Sequence, residues 1–309
     1  MNDSALVLEN ICKNFGDFAA VQDLSLDVPR GSVYGFLGPN GAGKTTTIRI
    51  SLSIYEPTSG SVKILGQPSA LDVRDRIGYL PEEKGLYKKM KARDIIAYFG
   101  QLKGMSRGKA RSRAGELLER YGLGEFALRR CEALSKGMQQ KVQVLASIVH
   151  SPEFVILDEP FSGLDPVNQE VMEKVISDLK QNGQTVVFST HVMEHAERLC
   201  DRIVLIARGG KLFDGTITEA KRTIPRRVLI ETESDVSALR GVPGVTGLAR
   251  VGDDGMWDVT LAEGASPDEI LRACFRQGIE LRSFDRRDPG LRDVFMKLVS
   301  KGAAGEMVA

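Results

Sequence analysis

Residues 38–45 read Gly38-Pro39-Asn40-Gly41-Ala42-Gly43-Lys44-Thr45 and complete a G-x-x-x-x-G-K-[ST] loop. Its chemistry is phosphate capture. Glycines let backbone amides turn toward one anionic point without a Cβ in the way. The Lys44 ammonium can reach outer phosphates, and the Thr45 hydroxyl can ligate Mg²⁺. The pattern by itself arises by chance, so its setting decides. Val33-Tyr34-Gly35-Phe36-Leu37 before it reads as a buried strand, and Thr46-Thr47-Ile48-Arg49-Ile50 after it reads as a helix. Unpaired amides and the positive dipole end of that helix would face the same anion. In this strand–loop–helix context the loop reads as a nucleotide site.

A second constellation lies downstream. Phe154-Val155-Ile156-Leu157 is an apolar strand that ends in Asp158-Glu159. Strands of open α/β sheets deliver their last residues to the carboxyl edge, where ligands bind. Asp158 there would hold Mg²⁺, as the second acidic element of P-loop NTPases does, and Glu159 would orient and deprotonate an attacking water. Two solvated acids after a strand are the plain alternative; the glycine loop favours the site. His191 follows the apolar run Thr185–Ser189 and should emerge at the same edge, where it can donate to a γ-phosphate oxygen. His150 and His195 read as structural or solvated.

These residues need a scaffold. Short alternating runs at 5–13 and 24–28, then Val62–Leu65 and Ile77–Leu80, predict strands. From about 86 to 150 the pattern turns helical, with helices expected over 93–102, 108–121 and 139–149. The continuous apolar runs Phe154–Leu157, Thr185–Phe188 and Ile203–Ile206 alternate with helical patterns at 167–181 and 192–199. That alternation predicts a parallel sheet covered on both faces. Gly209-Gly210 reads as a hairpin turn. The polar, proline-containing segment at 222–227 predicts a domain boundary. Beyond it, strands at 228–231, 247–251, 257–261 and 279–282 with helices at 235–240 and 267–277 follow the β-α-β-β-α-β order of a ferredoxin-like domain. Val245, Leu248, Trp257, Val259 and Phe275 read as its core. A helix over 290–300 and a frayed tail over 301–309 complete the chain.

Bulk properties narrow the classes. With 42 basic and 41 acidic residues the charge is nearly balanced, so no nucleic-acid partner is expected. No apolar stretch reaches the roughly 20 residues that span a bilayer. The first residues lack the basic and apolar segments of a secretory signal. Cys12, Cys131, Cys200 and Cys274 are scattered without C-x-x-C pairing, which fits free thiols in a reducing cytosol.

The run Leu134-Ser135-Lys136-Gly137-Met138-Gln139-Gln140 resembles the L-S-G-G-Q signature of ATP-binding cassette (ABC) ATPases. With the loop at 38–45, Asp158-Glu159, Ser162-Gly163-Leu164-Asp165 and His191, it stands in that family's order, and the resemblance covers about residues 5–220. The run Gly78–Tyr87 and the small C-terminal domain look like the branch that serves ABC-2-type exporters. The resemblance implies a P-loop NTPase fold with an antiparallel β subdomain and a helical insert, spanning residues 1–224, and an accessory α+β domain over 226–300. It implies ATP and Mg²⁺ as ligands, a separate transmembrane permease, and a second cassette, identical or different. The expected place is then the cytoplasmic face of a membrane. Gly38 to Thr46 would hold the triphosphate of one cassette, while Ser135 and the Gly137 amide of the other approach its γ-phosphate. Asp165 would couple the two sites. Phe15 lies where the family stacks an aromatic ring on adenine; a core phenylalanine is the rival reading.

Two positions depart from the family. Glu82 replaces the usual glutamine, which adds negative charge beside the phosphates and puts its part as a metal ligand in question, with Glu83 as the competing acid. Lys136 and Met138 alter the signature, but Ser135 and Gly137 keep its phosphate contacts. The segment near 86–110, with Tyr87 and Met90, is the expected permease surface, against ordinary helix packing. A soluble cassette ATPase acting on a ribosome, nucleic acid or protein machine is the alternative function. A regulatory or dimer-stabilising part is the expectation for the C-terminal domain.

Overall fold

Strands that alternate apolar and polar residues need one covered face, and strands apolar throughout need two. Both kinds are present in the computed structural model, which describes residues 4–83, 85, 87–252 and 255–306. Its contacts divide the chain into Met1–Thr216 and Ile217–Ala309.

The first unit opens with the hairpin β1 (Ser4–Phe15) and β2 (Phe18–Pro29), longer than the hydropathy runs suggest. The wholly buried β3 (Val33–Leu37) leads through the glycine loop into α1 (Lys44–Ser51). β4 (Ser59–Ile64) returns to pair with β1, which gives a three-stranded antiparallel sheet β2-β1-β4. β5 (Ile77–Leu80) precedes the helical region of α2 (Ala92–Leu102), α3 (Arg107–Arg120) and α4 (Lys136–Ile148). Then β6 (Phe154–Leu157), α5 (Pro166–Gln181), β7 (Thr185–Thr190), α6 (Met193–Leu199), β8 (Arg202–Ala207) and β9 (Gly210–Thr216) alternate. The main sheet runs β5-β6-β7-β3-β8-β9, parallel except for β9. One buried cluster packs α2, α3, α4 and α5 against this sheet; a second lies under the β1–β2 hairpin and α1.

The second unit comprises α7 (Ile217–Arg222), β10 (Arg227–Glu231), β11 (Val245–Val251), β12 (Met256–Leu261), α8 (Pro267–Arg276), β13 (Ser283–Arg287) and α9 (Leu291–Glu306). Its antiparallel sheet has the order β11-β12-β10-β13. The polar segment at 222–227 therefore falls inside this unit, because α7 packs on α9.

Four expectations change here. The helix foreseen at 235–240 is only a 3-10 turn, Ser237–Gly241. The last strand is Ser283–Arg287 and not 279–282: Ile279 is buried in the core after α8, while the polar edge strand carries little apolar signal. Phe275 is 70% exposed, since Ile270, Ala273 and Cys274 take the buried face of α8. α9 continues to Glu306, beyond the foreseen end at 300, and residues 307–309 lie outside the described residues. Val259 is fully buried, and Val245, Leu248 and Trp257 pack partly buried around it.

Candidate functional site

β6, β7 and β3 are neighbours in the sheet, so the residues that follow them converge at one carboxyl edge. β3 delivers the glycine loop, β6 delivers Asp158 and Glu159, and β7 delivers His191. The loop folds tightly. Gly43 precedes α1 at φ 103°, and a Cβ there would stand 2.6 Å from the Ala20 carbonyl, so only glycine fits. No side chain caps the first turn of α1, whose orphan amides are what a phosphate needs.

Lys44 Nζ donates to the carbonyls of Gly38 at 2.7 Å and Pro39 at 3.1 Å, and lies 3.4 Å from Glu159 Oε1. His191 Nδ1 stands 3.1 Å from Glu159 Oε2 and 3.2 Å from Oε1. Lys44 and Glu159 are buried, whereas the His191 side chain is half exposed. One carboxylate thus occupies both groups expected to meet a terminal phosphate. Glu159 adopts φ 49°, a costly region for a non-glycine residue that is found at functional sites. Its amide donates to Ser189 Oγ at 2.8 Å, which fixes the turn.

Ser189 is the residue that sequence reasoning missed. Its hydroxyl also donates to Asp158 Oδ1 at 2.5 Å, while Thr45 Oγ1 donates to the same oxygen at 3.3 Å. Its place on β7, two residues before His191, was the available signal. Asp158 Oδ2 is buried and has no hydrogen-bond partner. Burial pushes the Asp158 carboxyl above the ordinary range, and the Ser189 and Thr45 hydroxyls pull against that rise. A buried carboxylate oxygen left open, beside a threonine hydroxyl, suits a divalent cation. Among the described residues no three His, Cys, Asp or Glu side chains gather into a metal cage. Two protein oxygens fit Mg²⁺, which usually takes few protein ligands and completes its shell with water and phosphate.

Glu82 is exposed after β5, and among the described contacts no hydrogen bond or ion pair joins it to Thr45 or Asp158. Glu83 pairs with Arg49 at 3.9 Å, and Arg49 also donates to the Tyr55 hydroxyl at 3.1 Å. Phe15 is 46% exposed at the end of β1, which removes the core reading. Its ring meets Tyr55 edge-on at 5.6 Å, and Lys13 Nζ lies 5.1 Å from its centroid.

The signature turn stands elsewhere in the unit. α4 starts at Lys136, before the expected start at 139, and Ser135 caps it by accepting from the Met138 amide at 3.2 Å. Its hydroxyl proton stays available for an acceptor outside the helix. Asp165 caps α5, and both its oxygens hold Asn168, at 2.9 Å to the backbone amide and 2.8 Å to the side-chain amide. The other histidines are structural. His150 meets the Ile77 carbonyl at 3.1 Å with its pKa pushed down to about 4 by burial. His195 is buried and stacks on Phe161 with ring centroids 4.1 Å apart. Tyr87 is exposed against Tyr98, and Met90 packs on the helical core; Lys84 and Leu86 of the run 78–87 lie outside the described residues.

A glycine loop behind a central parallel strand, with a histidine from the neighbouring strand and acids from the strand beyond it, defines a P-loop nucleoside triphosphatase. Comparison with known proteins narrows the class. Residues 21–162 match the ABC transporter family model, and residues 215–299 match the C-terminal domain of DrrA1-3-like ATP-binding proteins. The ABC transporter ATP-binding protein YhaQ of Bacillus subtilis is 39% identical over 95% of this chain and 98% of its own length. The daunorubicin resistance ATP-binding protein DrrA3 of Streptomyces coeruleorubidus is 32% identical over 96% of both chains. A solved ATP-binding subunit of an ABC transporter superposes with a TM-score of 0.66 at 29% identity, over 71% of this chain and 93% of that one. The chain therefore belongs to the ABC transporter ATP-binding proteins. It is an ATP-binding ATPase subunit that powers a separate membrane permease. Among the described residues no helix is long and apolar enough to cross a membrane.

Proposed function

We propose that two cassettes, copies of this chain or one copy with a related subunit, close head to tail over two ATP molecules and drive ABC-2-type export. Full-length similarity to relatives named for daunorubicin and linearmycin resistance supports the export direction. The observation that carries the site is the convergence of Lys44, Glu159 and His191, joined by contacts of 3.1 to 3.4 Å. An incoming triphosphate competes with Glu159 for Lys44 and His191. Lys44 turns to the outer phosphate oxygens, His191 donates to the γ-phosphate, and the freed Glu159 carboxylate accepts a proton from the attacking water. Gly38 through Thr46 wrap the phosphates with backbone amides and the Thr45 hydroxyl, and Phe15 stacks on adenine.

Thr45 and Asp158 would hold Mg²⁺, which supplies charge neutralisation at the phosphates. Glu82, exposed after β5, would add negative charge beside that ion and reach it most readily through water. Ser135 and the Gly137 amide meet the γ-phosphate of the opposite cassette, so ATP closes the pair and hydrolysis loosens it. The permease would seat near Tyr87 and hold the protein at the cytoplasmic membrane face.

Affinity purification from membranes tests this reading. A co-purifying multispanning protein should raise the ATPase rate of the reconstituted pair. Recovery of the chain without any permease, with a rate unchanged by co-expressed candidates, contradicts it.

A further inference from the structure

We propose that Asn168 is a positioning residue that locks the Ser135–Gly137 turn to the segment following Glu159 within the same chain. The inference rests on the two-cassette reading above and adds an internal coupling to it. Gly137 lies in the first turn of α4, and a Cβ placed there would meet Asn168 Nδ2 at 2.6 Å and its Cγ at 3.0 Å. The Asn168 amide therefore occupies the space a side chain would fill. That amide cannot swing away freely, because its Nδ2 and the backbone N–H of the same residue are both held by the Asp165 carboxylate.

One further contact and one charge attraction tie the same helix to the same segment. Gln140 Nε2 donates to the carbonyl of Pro160, the residue after Glu159, at 3.4 Å. Lys141, one turn beyond Gly137, is a buried lysine, and Asp165 is the charge that favours its ammonium form against burial. The serine-bearing turn, the Glu159 turn and the Asp165 cap thus form one block held by polar contacts. A shift of Glu159 when nucleotide enters its own site reaches Ser135, which serves the site across the interface. Asn168 touches no phosphate in this scheme; it sets where Ser135 and the Gly137 amide stand.

The test is a mutant cycle on the full chain. Asn168→Ala should lower kcat about 10- to 100-fold, the scale of one lost charge-assisted hydrogen bond, and leave the Kd for a non-hydrolysable ATP analogue unchanged. Gly137→Ala should be slower still. The double variant, in which the clashing Nδ2 and Cγ atoms are gone, should lose less than the product of the two single losses. Thermal melts check that each variant is folded. An unchanged kcat in Asn168→Ala, or a double variant that equals the product of the singles, overturns the proposal. Specific activity against wild-type protein concentration separates the two readings. If it does not rise with concentration and the active species sediments as a monomer, the two-cassette reading fails; if the active species is a dimer while Asn168→Ala keeps full kcat, only the role of Asn168 fails.

Discussion

The phosphate edge of the first unit and the sheet of the second are both built from strands with buried faces, yet they spend their residues differently. At the phosphate edge, buried positions carry charge: Lys44, Asp158 and Glu159 lie inside, with Asp158 Oδ2 left without a partner. In the second unit the buried positions of β10 and β12 are apolar, Val228, Ile230, Val259 and Leu261; on their flank Asp258 has an unpartnered Oδ1 but is paired with the exposed Arg227 at 3.2 Å. Burying charge costs stability unless partners or ligands offset it. The first region gives up stability for chemistry, and the second is organised for packing.

The contrast can be broken at its strongest point first. Glu159→Gln should slow ATP hydrolysis about 10²- to 10⁴-fold, the range for lost general-base help, and still bind ATP. Phosphate release beside nucleotide binding reads both, and equal turnover removes Glu159 from its role. Lys44→Ala should weaken triphosphate binding about 10- to 100-fold, as expected for a lost charge-assisted contact, measurable by calorimetry. In the second unit, Leu261→Ala should cost about 2–5 kcal/mol in denaturant unfolding of that unit. Phe275→Ala should stay within about 0.5 kcal/mol, because its ring is exposed. Similar losses from Leu261 and Phe275 would erase the proposed core.

The smallest effect is a pH dependence. Burial raises the pKa of Asp158, so its proton is held to a higher pH than that of an ordinary aspartate. A proton and Mg²⁺ compete for the same oxygens. Apparent Mg²⁺ affinity should therefore begin to fall, as pH drops, at a pH above the usual aspartate range. Asp158→Asn should abolish that dependence. A Mg²⁺ titration curve flat down to ordinary carboxylate pH would contradict the raised pKa.

Much of the phosphate edge was legible because its signals are local. Gly38–Thr45 and Asp158-Glu159 are contiguous runs, and parallel pairing of apolar strands explains why they meet. Ser189 was not legible: a serine at the end of a buried strand looks ordinary until β6 and β7 pair, and its hydroxyl reaches Asp158 and the Glu159 amide. The start of α4 at Lys136 was visible only as the cap chemistry of Ser135, which hydropathy ignores. In the second unit the edge strand Ser283–Arg287 was missed because an edge needs few apolar residues, while nearby Ile279 and Leu281 offered a stronger apolar pattern. Phe275 misled for the opposite reason, since a large ring at the end of α8 need not face inward. The Glu82 departure was visible in the sequence, but its exposure and the Arg49–Glu83 pair required coordinates.

A crystal structure of the Glu159→Gln variant with ATP and Mg²⁺ tests the central claim most directly. The expected result is two cassettes per assembly, Lys44 on the β- and γ-phosphates, Asp158 in the metal shell, and Ser135 of the opposing cassette within hydrogen-bond distance of a γ-phosphate oxygen. A lone, hydrolysis-competent cassette with Ser135 far from every phosphate, or with Lys44 still bound to residue 159, would contradict it.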